Sequence, residues 1–200
     1  MSEWDVLRRE LIAMAEEDQR VRAELARDGS LFEGYHPRMQ SLHDANAARL
    51  SAILDAHGWP GQSLVGREGA FAAWLIAQHA IGQPAFQRRV LELLKPAIPT
   101  GEVPALHAAM LEDRIRSFEG RPQLYGTQFD WDEQGRMSPL PHDDPARVEA
   151  RRREIGLKPL ADDLRKRRAA MAQDPERPPR DWARRQREME EWCRKVGWRR

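Results

Sequence analysis

The stretch AWLIAQHAIGQ, residues 73–83, decides the fold. Its first five residues are apolar with no polar face between them, so the segment reads as a helix enclosed by neighbours on all sides. Gln78 and His79 then follow side by side, and buried polar groups must find partners. Upstream, Gly66 and Gly69 let the chain turn into this helix, and downstream Pro84 suits the first position of the next.

Working outward, residues 3–27 space Leu7, Leu11, Met14, Val21 and Leu25 along one helical face, with Asp18 in the seam. Residues 28–37 carry loop punctuation, after which Met39, Leu42, Asn46, Leu50 and Ile53 mark a second amphipathic helix, stopped by Gly58 and Pro60. Residues 84–95 and 102–119 give two more helices. Residues 120–141 change character: alternating side chains flank the turn sequence DEQG, which predicts a β-hairpin or a pair of extended arms over about 123–141. Asp144 and Pro145 start a helix ending near Ile155; KPLADDLRKRR begins another, and a proline-broken linker precedes a last helix containing Trp182, Trp192 and Cys193. The fold class is mainly α: a multi-helix single domain over 1–168, with one hairpin and an added basic C-terminal extension over 169–200.

Composition narrows the class. With 32% charged residues, no run of apolar residues long enough to span a bilayer and a charge-studded start, the chain reads as cytoplasmic, with no membrane association. The single cysteine offers neither a disulfide nor a thiolate cage. The net charge of +1 conceals an asymmetry: residues 165–200 hold 13 Lys+Arg against 6 Asp+Glu, a net +7, which leaves −6 on the first 164 residues.

Four polar groups interrupt apolar helical faces: Asp18 with Gln19, Asn46 with Arg49, Gln78 with His79, and Asp113 with Arg114. An unpaired buried polar group costs about 1–3 kcal/mol, so the cheapest packing gathers such groups together. Two readings of that gathering stay open. One is a hydrogen-bond network that fixes helix register. The other is a pocket in which His79 acts as general acid/base, Asp113 orients its ring, Arg114 anchors an anion, and Gln78, Gln123 and Tyr125 position a small polar or anionic molecule. Histidines 36, 43, 57, 107 and 142 are scattered and form no short metal-binding spacing with His79, so the pocket is read as metal-independent, without a cofactor. VGREGA (65–70) lacks the Lys-Ser/Thr of a phosphate loop, and no serine sits in a nucleophile elbow.

The basic tail admits a nucleic-acid reading through its arginines and tryptophans. Interleaved acids and helical tryptophan spacing favour packing on the body or on a second copy, which makes a homodimer through the C-terminal helix one expectation.

The ordered stretches EDQRVR (17–22), NAARL (46–50), HGWPGQSLVGREGA (57–70), AQHA (77–80), EDRI (112–115), GRPQLYGTQ (120–128) and ARRREIGLKPL (150–160) give the chain a family resemblance. Over residues 10–165 it resembles a bacterial family of unknown function, DUF6624. The resemblance implies recurring polar positions at Asp18, Gln19, Asn46, Arg49, Gln78, His79, Asp113, Arg114, Gln123, Tyr125 and Gln128, and names no reaction. The family often follows Gln-His-Ala with an aspartate where this chain has Ile81. Two functions are therefore expected as alternatives: an enzyme acting on a small polar or anionic molecule at the His79 pocket, or a non-catalytic interaction module whose basic tail meets an acidic partner.

Overall fold

The structure, a computed structural model, describes residues 2–32, 34–171 and 176–200. It is mainly helical, with eight α-helices and one small antiparallel hairpin among the described residues. The chain divides into two compact units, Met1–Ala108 and Ala109–Arg200.

The first unit is built around the helix that contains the opening stretch. Helix α1 (Glu3–Asp28) starts at a reciprocal cap, in which the Ser2 hydroxyl accepts from the Asp5 amide and the Asp5 carboxylate from the Ser2 amide. It buries Leu7, Leu11, Ala15, Asp18, Val21 and Leu25 as one stripe. Helix α2 (Pro37–His57) buries Met39, His43, Asn46, Ala47, Leu50, Ile53 and Leu54. Helix α3 (Gln62–His79) packs against α1, α2 and the following α4 (Pro84–Ala97), as its all-round apolar sequence requires.

Two glycines shape α3 for different reasons. Gly66 adopts φ 70° and ψ 171°, breaking the helix after its first turn, a conformation that costs other L-residues strain. A Cβ on Gly69 would sit 2.9 Å from Val65 Cβ and 3.1 Å from Arg8 Cγ, so the missing side chain is what lets α3 lie close to α1. At the other end, the Gln87 amide from α4 donates to the Ala77 and Gln78 carbonyls at 2.7 and 3.1 Å, satisfying acceptors that the helix terminus leaves open. Helix α5 (Ala105–Phe118) begins in the first unit, where Trp74 Nε1 donates to the His107 carbonyl at 3.0 Å and the two rings stack at 4.2 Å.

In the second unit, strands β1 (Phe129–Trp131) and β2 (Met137–Pro139) pair antiparallel with Asp130 opposite Ser138. The Asp132 carboxylate closes the turn by accepting from the Gln134 and Arg136 amides at 3.0 and 2.9 Å. Residues 123–128, expected to extend the arm, form no strand; one isolated bridge joins Gln123 to His142. Helix α6 (Pro145–Glu154) is capped by Asp144, and α7 (Leu160–Met171) packs on α6 and β2. The expected linker begins at residues 174 and 175, which lie outside the described residues.

Helix α8 (Trp182–Val196) turns its aromatic stripe inward within this unit. Trp182 Nε1 donates to the Trp131 carbonyl at 2.9 Å, Trp198 stacks on Phe118, and Arg199 donates to the Phe118 and Ser117 carbonyls at 2.7 and 3.1 Å. No helix is long and apolar enough to cross a membrane among the described residues.

Candidate functional site

The polar residues of the first unit meet on three helices. Asp18 projects from the apolar stripe of α1, His43 from α2, and His79 is the last residue of α3. Their side chains are graded in exposure at 1%, 9% and 18%. His79 Nδ1 lies 2.8 Å from Asp18 Oδ1, and Gln19 Nε2 donates to the same oxygen at 3.2 Å. An ionised carboxylate only accepts, so the His79 ring donates from Nδ1 and carries its neutral-form lone pair on Nε2.

The other side of Asp18 is different. His43 Nε2 is 2.9 Å from Asp18 Oδ2, close enough for charge attraction. Yet neither atom completes a hydrogen bond among the described residues. Nδ1 of His43 lies 2.8 Å from the Tyr35 hydroxyl, which fixes the ring from behind. The two imidazoles are 5.6 Å apart between centroids.

The electrostatics follow from this packing. Burial alone would raise the Asp18 carboxyl, but the two imidazoles of His43 and His79 outweigh it and hold the group well below the usual carboxylate range. Tyr35 is pushed upward by burial and by the nearby charges of Asp44 and Asp18. Asp44 in turn accepts from Gln83 Nε2 at 2.8 Å, which ties α2 to the turn after His79.

A cleft of about 1080 Å³ opens in the same unit, with Gln19, Trp59, Arg67, Phe71, Glu102 and His107 among its walls. Gln19 belongs both to this wall and to the Asp18 hydrogen bonds. His107, stacked on Trp74, is driven down to about 4 by burial.

The remaining expected residues fall differently. Asn46 is buried one turn beyond His43 on the same face of α2, whereas Arg49 turns outward and pairs with Glu10, its Nη2 2.8 Å from Oε2. Gln78 is buried at the end of α3. In the second unit, Asp113 is fully buried and both its oxygens are taken: the Leu124, Tyr125 and Thr127 amides donate at 2.7, 3.1 and 2.9 Å, and the Thr127 hydroxyl at 3.0 Å. The carboxylate that orients His79 is thus Asp18, and Asp113 instead folds the 124–127 loop around itself. Gln123 donates to the Gln128 and Leu140 carbonyls while its Oε1 accepts from the Gln128 amide, and Arg114 Nε donates to Gln128 Oε1 at 3.2 Å. The Tyr125 carbonyl accepts from the buried Arg152 at 2.7 Å.

His43 is the member that sequence reasoning missed. It was one of five scattered histidines, and a set drawn from three helices leaves no short-range spacing to find. The only available signal was its place three residues before Asn46 on the buried face of α2.

The fold and this geometry define a helical protein with a buried carboxylate gripped by two imidazoles. The model of a family of unknown function, DUF6624, matches residues 5–173, and the chain belongs to that family. No curated protein and no solved structure matches it.

Proposed function

We propose that the protein is an enzyme acting on a small polar or anionic molecule by general acid/base chemistry, with Asp18, His43 and His79 as its reacting centre and the adjoining cleft as the substrate's approach. The observation that carries this reading is Asp18: a carboxylate exposed by only 1% and still held ionised by two imidazoles. Perturbed groups of this kind gather where protons are handled. His79 is the member that reaches water, and Gln19 links the cluster to a cleft of the size that small ligands occupy. Arg67 on the cleft wall supplies a cation for an anionic substrate. The residues of the second unit drop out of the site on this reading, since their contacts organise the 123–128 loop. The interaction-module alternative retains the basic charge of the tail in its favour, while the tryptophans of the nucleic-acid reading pack within their own unit.

The test is turnover of a panel of small carboxylates, amides and phosphate esters followed by NMR. His79→Gln should lower the rate of any molecule turned over by about 10²-fold or more, the usual contribution of a positioned acid/base. A folded His79→Gln protein with undiminished turnover ends the reading.

A further inference from the structure

The geometry points to a divalent transition-metal site formed by Asp18, His43 and His79. This deepens the reading of the cluster as the reacting centre, and rests on it, by naming the agent that would handle the proton.

The first feature is the contact between His43 and Asp18. Two nearly fully buried polar atoms, His43 Nε2 and Asp18 Oδ2, face one another at 2.9 Å without a hydrogen bond between them. Leaving both unsatisfied in a buried position is costly unless something else binds them. A cation between them satisfies both at once.

The second is spacing. One ligand atom from each of the three residues can be chosen so that all lie within 4.8 Å of one another. Ligands at about 2.0–2.2 Å from one ion in tetrahedral or octahedral array are separated by roughly 3–4 Å, so the three need only small rotamer adjustments to close on it. The Asp18 contacts with His43 and His79, at 2.9 and 2.8 Å, are already near the short end of that range.

The third is the surroundings. The second nitrogen of His43 is held by the Tyr35 hydroxyl, the type of outer contact that fixes ligand rings at metal sites. Ile81 adds no donor, so the set is one carboxylate and two imidazoles. Imidazole favours zinc, iron, cobalt or nickel over magnesium or calcium, and three protein ligands leave positions open for water or substrate. Held by Asp18, His43 and His79, such an ion would supply Lewis acidity and would lower the pKa of a water ligand toward neutrality. Each imidazole would bind through the nitrogen that bears its lone pair and keep its proton on the other ring nitrogen.

The experiment uses full-length protein, stripped with chelator and titrated with Co²⁺, Zn²⁺ and Mg²⁺ by calorimetry, with visible absorption for Co²⁺. One equivalent of Co²⁺ or Zn²⁺ per chain is expected, with a ligand-field band for Co²⁺ and no Mg²⁺ binding under the same conditions. Asp18→Asn and His43→Gln each remove a ligand and should weaken binding by about 100-fold or more, whereas Tyr35→Phe removes only an outer contact and should weaken it by about tenfold. A wild-type protein that takes up no Co²⁺ or Zn²⁺ overturns the assignment whatever the variants do. So does one-equivalent binding that is undiminished in His43→Gln. If no ion binds yet His79→Gln still abolishes turnover, the acid/base reading stands without the metal. If the ion binds and His79→Gln turns over normally, the site stands and the acid/base reading falls.

Discussion

Asp18 and Asp113 are both buried carboxylates, and their partners separate their roles. Asp113 accepts from three backbone amides and one hydroxyl, which is a structural assignment: charge-assisted bonds to backbone fix a loop. Replacing it with Asn turns an NH₂ toward those donors. We expect Asp113→Asn to destabilise the protein by about 2–4 kcal/mol in thermal or denaturant unfolding. Asp18 is held by side chains that also titrate, and its lowered pKa makes a pH-dependent contribution. That contribution is complete above the unfolded value of about 3.9 and is lost as pH falls below it, so the acid limb of the stability profile should flatten in Asp18→Asn. His107 acts in a higher window. Its folded pKa of about 4 lies below the unfolded value of about 6.5, so the unfolded chain binds the extra proton and stability drops as pH goes from 6.5 toward 4. Its partial exposure screens the effect to on the order of 1 kcal/mol, and His107→Phe should remove that slope from melting curves.

At the scale of elements, the hydrophobic periodicity of α1, α2 and α4 was legible because each buries a single stripe, and α3 because its second half buries most of an apolar run from Gly69 to Gln78. The caps at Asp144 and the turn at 132–135 were equally plain from their residue types. Asp18 and Gln78 announced themselves as polar intruders on apolar faces. What stayed hidden needed long-range pairing. His43 meets its partners across helices, and Asp113 is satisfied mainly by backbone amides, which leave no trace in side-chain pattern. The paired glycines of α3 yield a test. Gly69→Ala drives a Cβ into Val65 and Arg8, and should cost about 1–3 kcal/mol through overpacking of α3 on α1. Gly66→Ala puts its Cβ in ordinary contact with Arg8 Cδ at 3.8 Å and should cost about 1–3 kcal/mol through its positive φ alone.

For the whole molecule, the charge asymmetry read from the sequence has its basic share on the chain that forms α7 and α8. Within the second unit much of that charge is locally engaged: Arg185 pairs with Asp130 at 2.9 Å, Arg184 with Glu188 at 2.7 Å and Arg194 with Glu190 at 2.7 Å. Its aromatic residues act as core, with Trp198 exposed by only 4% and Cys193 fully buried. Trp198→Ala should therefore lower stability by about 3–5 kcal/mol, a fall in Tm of roughly 10 °C. The same substitution should leave Co²⁺ uptake unchanged, since none of the three proposed ligands lies in that unit.

The grip of Gln87 on the end of α3 has a wider consequence. His79 stands where its helix stops, and the fully buried Gln87 from the next helix fastens the two carbonyls just before it. The direction of the imidazole is thereby set from α4, by a side chain outside the cluster, so a substitution at Gln87 shifts where the ring points and leaves the three cluster residues themselves in place.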